Sequence, residues 1–118
     1  MTTQDIGGFG EEAAAEFLEE AEYEILKRNF RMKFGEVDII AEKDGCIVFV
    51  EVKTRRSTAF GEPAEYVDYR KQQRIRRAAS CYTDVVNNDV RFDVIEVLYK
   101  GNENCITITN INHIENAF

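Results

Sequence analysis

Apolar positions recur along the chain with two periods, one helical and one of two residues. Over residues 5–22, Ala13, Ala14, Phe17, Leu18 and Ala21 form an apolar stripe, and Glu12, Glu16, Glu19 and Glu20 form the opposite face, which predicts an amphipathic helix. Residues 23–30 and 36–42 read as strands around a turn at 31–34. Next comes Cys46-Ile47-Val48-Phe49-Val50, an unbroken β-branched and aromatic run of the kind found in strands covered on both faces. Asp44-Gly45 between the second and third strands is a hairpin signal, so these three strands should form an antiparallel meander. Residues 54–63 read as a loop and 63–83 as a second helix with Pro63 in its first turn. Residues 90–98 and 105–109 are two more strands, joined by a Gly/Asn turn at 100–104. The order helix, three strands, helix, two strands predicts an α/β sandwich with a mixed sheet, the strand after the second helix pairing alongside the central one.

Charges interrupt this pattern where a buried strand should carry none. Glu51 and Lys53 follow the apolar run directly, two residues apart on one face and roughly 6.6 Å from each other along the strand. Val50 and Val52 face the other way, and the hairpin brings Asp38 towards Glu51. Burying an unpaired carboxylate costs several kcal/mol, and a second one beside it raises that cost unless a cation compensates. Mg²⁺, or Mn²⁺ in its place, is the natural compensator, because it takes one or two carboxylates and leaves positions for water and phosphate oxygens. Asp38 and Glu51 suit that role. Lys53 suits the orientation or deprotonation of an attacking water in a phosphoryl displacement. On the first helix Glu11 stands apart from the other glutamates, since at about 100° per residue it lies only about 20° from Leu18. It either reaches inward or complements the helix dipole in the first turn.

Asp38, twelve intervening residues and then Glu51-Val52-Lys53 resemble the D-x(n)-(D/E)-x-K signature of the restriction-endonuclease-like nucleases. A longer text carries more: Gly10-Glu11, Gly35-Glu36-Val37-Asp38-Ile39-Ile40, Phe49-Val50-Glu51-Val52-Lys53-Thr54-Arg55, Arg91-Phe92-Asp93-Val94 and Ile114-Glu115-Asn116-Ala117-Phe118. Over nearly the whole chain this is similar to the YraN-like family of small, endonuclease-like bacterial proteins, related in fold to archaeal Holliday-junction resolvases. The resemblance implies one restriction-endonuclease-like domain over residues 1–118 and Mg²⁺- or Mn²⁺-dependent hydrolysis of DNA that leaves a 5′-phosphate. It implies selection of DNA by structure rather than sequence, as in repair or recombination, and a homodimer that cuts paired strands. It also carries the role of third metal ligand to Glu11, with the Val52 carbonyl as a fourth. Some relatives have a Gln-x-x-x-Tyr motif on the second helix, whereas neither Gln72 nor Gln73 has a tyrosine four residues on.

Composition adjusts this reading. The 118 residues suit one domain, and 44% apolar with 11% aromatic content is globular. With no apolar run near the roughly 20 residues of a membrane span and no basic-then-apolar leader, a cytoplasmic location away from membranes is expected. The three cysteines form no CxxC pair, which points to reduced core thiols rather than disulfides or zinc. A net charge of −7 looks wrong for a DNA-binding protein, but the charge is segregated. Residues 1–26 carry eight acids and no base, while residues 27–81 carry thirteen bases against eight acids, a net +5. Binding should therefore be weak and fade with salt.

The densest basic cluster lies on the second helix. Arg70, Arg74 and Arg77 fall on one stripe, and Lys71, Ile75, Ala78 and Tyr82 on the neighbouring, inward stripe, so Lys71 can support the site. The arginine stripe is either a phosphate-tracking surface or a solvated helical face. Arg55 and Arg56, in the expected loop, either contact nucleic acid or are ordinary surface residues. Glu36 is a further ligand, a partner for Lys53 or a strand-entry charge. Asp93 supports the sheet or the site, and His113, the sole histidine, is expected on the surface, so a histidine-based triad is nearly excluded. Two rivals to a nuclease remain: a non-catalytic DNA- or protein-binding module on the same fold, and a plain Glu51–Lys53 ion pair at a strand end.

Overall fold

A computed structural model describes residues 3–58, 67–82, 88–102 and 104–118, with side chains from Ile6 onward. Helix α1 (Thr3–Glu20) precedes strands β1 (Glu24–Met32), β2 (Gly35–Lys43) and β3 (Cys46–Arg56); helix α2 (Tyr69–Ser80) precedes β4 (Asp89–Asn102) and β5 (Cys105–Ile114). The sheet order is β1-β2-β3-β4-β5, with β3 and β4 parallel and every other pair antiparallel. This is the mixed-sheet α/β architecture that the periodicity predicts. The β2–β3 turn forms at Asp44 and Gly45, both at positive φ (52° and 80°), the primed geometry that matches strand twist.

The two helices cover opposite faces. On one, Ala14, Ala15 and Leu18 of α1 pack on Ile39, Ala41, Val48, Val50, Val52, Ile95 and Val97. On the other, Ile75, Ala78 and Ala79 of α2 pack on Val37, Ile40, Ile47, Phe49 and Val94. β3 is therefore covered on both sides, which is why its run is uniformly apolar. Two glycines set how close the helices come. A Cβ on Gly35 would lie 2.1 Å from the Arg74 carbonyl oxygen of α2, and one on Gly10 would lie 1.8 Å from Thr54 Oγ1 of β3. No helix among the described residues is long and apolar enough to cross a membrane.

Several boundaries differ from the sequence expectation. β3 continues to Arg56, paired through Arg56↔Tyr99, so the first three residues of the expected loop are strand; residues 59–63 lie outside the described residues. α2 starts at Tyr69, capped by Asp68, whose carboxylate accepts the Lys71 N–H at 2.9 Å; residues 63–66 and 83 lie outside the described residues. β4 and β5 run past residues 98 and 109 because the Asn-rich tail pairs with β4, with a bulge at Leu98/Tyr99. Cys81 and Cys105 are exposed rather than core, Cys46 is half-buried, and all three are free thiols.

His113 is not on the surface. Its Nε2 lies 2.6 Å from Oδ2 of the fully buried Asp93, and its ring meets Phe17 and Tyr23 edge-on. Asp93 also accepts a two-pronged pair of 2.8 Å bonds from Arg91 and the Asn116 N–H at 3.1 Å, so this acid ties the C-terminal tail to the sheet. Burial pushes the Asp93 carboxyl up, but His113, Arg91 and the Asn116 amide outweigh it and hold it below its ordinary value.

Two outcomes follow for stability. Gly35→Ala should destabilise by about 2 kcal/mol through overpacking against the α2 backbone, whereas Gly8→Ala in α1, with open space around it, should stabilise by about 0.5–1 kcal/mol; urea unfolding of both checks this. Asp93→Asn should cost about 3 kcal/mol at neutral pH by removing the buried charge that Arg91 pairs with, leaving Arg91 with the Tyr23 hydroxyl at 2.7 Å and the exposed Glu115 at 3.8 Å. Because the Asp93 pKa is depressed on folding, its contribution is present above the unfolded value near about 3.9 and is lost as pH falls through the folded value, which acid unfolding of both proteins would show.

Candidate active site

The β2–β3 ladder ends at Ile39↔Val50. Beyond it Asp38 replaces a backbone partner, its Oδ2 accepting the Val52 N–H at 2.8 Å. In extended chain the N–H and C=O of one residue leave the same edge, so the Val52 carbonyl emerges beside Asp38 where β2 has diverged. β2 is irregular at this point. Val37 packs on the α2 side and Ile39 on the α1 side, although strict alternation would send both the same way. Opposite Asp38, between the pairs Arg28↔Ile39 and Phe30↔Val37, Asn29 takes a positive φ of 52°. This break aims Asp38 at the end of β3.

Glu51 follows Ile47 and Phe49 on the α2 side of β3 and is 4% exposed. Two lysines reach the same oxygen: Lys71 Nζ lies 2.5 Å from Glu51 Oε1 and Lys53 Nζ lies 3.7 Å from it. Burial raises the Glu51 pKa, the Asp38 charge raises it further, and the lysines only partly offset this, leaving it at about 7. Asp38 is also raised, first by burial and then by the Glu11 charge, against the Val52 N–H that favours its ionised form. Lys53 is lowered by burial and by neighbouring Lys71. Burial pulls Lys71 down as well, but its bond to Glu51 leads the contributions that raise it on balance. Two acids made reluctant to ionise and a lysine made readier to lose its proton thus share one strand end.

The fold brings together Asp38, Glu51, Lys53 and Lys71, with Val52 between the acids. Glu11 stands near: its charge acts on Asp38, and it lines a cleft of about 320 Å³ with Val52, Lys53, Thr54 and Tyr99. The close approach at Gly10 puts it there. Glu36 is exposed, 3.6 Å from Arg31, and it borders a second cleft of about 280 Å³ with Asp68, Arg70, Lys71, Arg74 and Ile75. It partners neither Lys53 nor the two central acids.

Arg70, Arg74 and Arg77 are exposed on α2, as their stripe predicts. Arg55 departs from its expected place. It is a strand residue whose Nε is hydrogen-bonded to Glu96, an acid 1% exposed that also accepts from Asn112 Nδ2 at 2.9 Å. Arg56 is exposed but held against β4, donating to the Gly101 carbonyl at 3.0 Å and lying over the Tyr99 ring. Glu96, paired with Lys53 across the parallel ladder, escaped sequence reading, although an acid inside the apolar run Val94-Ile95-Glu96-Val97 carries the same signal as Glu51.

The donor set fits one kind of ion. Among the described residues no three His, Cys, Asp or Glu side chains converge closely enough to form an all-protein metal cage. The buried Glu51 carboxylate and the half-buried Asp38 carboxylate, beside a strand carbonyl, instead match Mg²⁺ or Mn²⁺, which use one or two carboxylates and keep water and phosphate as remaining ligands.

The uncharacterised protein family UPF0102 matches residues 10–97. A UPF0102 protein of Caldicellulosiruptor saccharolyticus is 49% identical over the full length of both chains. One from Caldanaerobacter subterraneus is 47% identical over 100% of this chain and 98% of its own. Another, from Syntrophomonas wolfei, is 45% identical over 98% of each.

A carboxyl whose folded pKa lies above its unfolded one costs stability as pH rises, starting near the ordinary 4.5 and finishing above about 7. Glu51→Gln should therefore stabilise the chelator-treated protein, by about 2 kcal/mol more at pH 8 than at pH 5. Denaturant unfolding at the two pH values tests this, and equal effects at both would contradict the burial account.

Proposed function

The chain belongs to the UPF0102 (YraN) family, and from the site at the end of β3 we propose that it is a divalent-metal-dependent phosphodiesterase acting on DNA. The observation that supports this most is the buried Glu51 carboxylate set beside the half-buried Asp38 and Lys53 at one strand end, an arrangement that costs stability.

In this reading the Asp38 and Glu51 carboxylates and the Val52 carbonyl would hold the ion, with Glu11 of α1 acting by its charge from the neighbouring cleft rather than closing a three-carboxylate cage, and a bound ion would neutralise charge on the phosphoryl oxygens and ease ionisation of water. The chain does the rest. Lys53, whose ammonium is destabilised by burial, holds the attacking water and, as the neutral amine, takes its proton. Asp38 is kept from rotating by the Val52 N–H. The exposed stripe of Arg70, Arg74 and Arg77 runs from the second cleft along α2 and tracks successive phosphates, positioning the backbone without reading bases. The likeness to junction resolvases makes branched or otherwise structured DNA, cut by a homodimer in repair or recombination, the first substrate class to try. A second reading, a DNA-binding module with a vestigial site, is favoured by Lys71, whose ammonium already neutralises Glu51.

Labelled four-way junction, flap, single-stranded and duplex DNA with Mn²⁺ and with Mg²⁺ separate the two. Wild type should cut at least one, while Asp38→Ala and Lys53→Ala should lose about 10²–10³ in rate yet still bind. Arg74→Ala should weaken binding to every DNA alike and reduce the salt slope by about 1. Binding without cleavage under all conditions would leave the module.

A further inference from the structure

The group closest to Glu51 comes from neither strand. Lys71 sits in the first turn of α2, where Asp68 accepts its N–H at 2.9 Å and so fixes the helix register that sends its side chain inward. Its Nζ lies 2.5 Å from Glu51 Oε1, the oxygen that Lys53 approaches at 3.7 Å. Asp38, Glu51, Lys53 and Lys71 together are charge-neutral when all are ionised. A divalent ion on the same two carboxylates would add two positive charges within contact distance of both ammonium groups. One lysine must yield.

Geometry distinguishes them. Lys53 is anchored on a central strand between Val52 and Thr54, with its side chain 27% exposed. Lys71 is on a surface helix, its side chain 36% exposed, and it borders the cleft of about 280 Å³ shared with Arg70 and Arg74. A lysine is a point charge on a flexible four-carbon stem, able to exchange one anionic partner for another a few ångströms away. On the other side of Lys71 the cleft offers such a place: its Arg70 and Arg74 guanidiniums suit phosphate, while the two carboxylates in its lining are engaged, Glu36 with Arg31 at 3.6 Å and Asp68 with the Lys71 N–H at 2.9 Å.

Resting on the metal-dependent reading above, we propose that Lys71 is a placeholder cation: it occupies Glu51 in the metal-free protein and, displaced when a divalent ion enters, turns into the α2 cleft to grip a phosphate beside Arg70 and Arg74. The acids are thereby neutralised while the site is empty, and phosphate capture is strengthened once the ion is in place. Metal and DNA then favour one another by the same factor, as linkage requires.

The test compares wild type with Lys71→Met, and with Lys71→Gln, which can still hydrogen-bond a protonated Glu51 should the methionine variant fold poorly. Mn²⁺ affinity is measured by calorimetry without DNA, and affinity for a labelled DNA junction by anisotropy in Ca²⁺ and in chelator. Removing the placeholder should tighten Mn²⁺ binding about tenfold or more and shrink the Ca²⁺-induced gain in DNA affinity by a similar factor. Arg74→Met, which lines the cleft without touching Glu51, should weaken DNA binding and leave Mn²⁺ affinity unchanged. Unchanged or weaker Mn²⁺ binding by both Lys71 variants, with wild type binding normally, overturns the placeholder alone. Absence of Mn²⁺ binding in every variant overturns the metal-dependent reading with it.

Discussion

Two carboxylates do not stay together at a buried strand end unless something holds them. Here the backbone does much of the holding: β2 leaves β3 after one last pair, and the Asp38 carboxylate takes the Val52 N–H that a continuing ladder would have used. One hydrogen bond thus caps an open sheet edge, orients the first acid and presents the Val52 carbonyl beside it. Everything around the site follows from where β2 lets go. Asn29 bends at positive φ opposite Asp38, Glu51 is pressed into the α2 face behind Phe49, and α1 comes close enough at Gly10 for the Glu11 charge to be felt.

The fold was legible because each element carried its own signal. The stripe of α1, the Asp44-Gly45 turn and the doubly covered run of β3 are local patterns that the packing then used. What was not legible depended on partners distant in sequence. Residues 54–56 look like a loop by composition, yet β4 supplies a parallel partner for each and buried Glu96 supplies an anchor for Arg55. The Asn-rich tail looks like a surface segment, yet buried Asp93 collects His113, Arg91 and the Asn116 amide. A lone histidine carries no sign of which acid will meet it.

The site was legible to a similar degree. Charge inside an apolar run identified Asp38, Glu51 and Lys53, and helical phase placed Lys71 on the inward stripe. The same rule applied to β4 would have found Glu96, which differs from Glu51 in what surrounds it. Glu96 has Arg55 and Asn112 as dedicated partners and reads as a structural acid. Glu51 has a second acid beside it, two lysines on one oxygen and a cleft at its side. Sequence shows that a charge is misplaced; only the surroundings show whether it is already satisfied.

The acidity of the chain becomes consistent with a polyanionic substrate once the layers are in place. Glu12, Glu16, Glu19 and Glu20 lie exposed on α1, and Arg70, Arg74, Arg76 and Arg77 lie exposed on α2, on opposite sides of one sheet. At physiological salt the screening length is about 8 Å, shorter than the roughly 20 Å that two such packed layers put between opposite faces. A strand of DNA near α2 is therefore shielded from most of the acid that gives the protein its net charge. Near α1 it meets repulsion. If DNA is the substrate, as proposed, a segregated charge of this kind would not make binding tight but would reject the wrong approach and favour the α2 face, where Lys71 joins the cleft to Glu51.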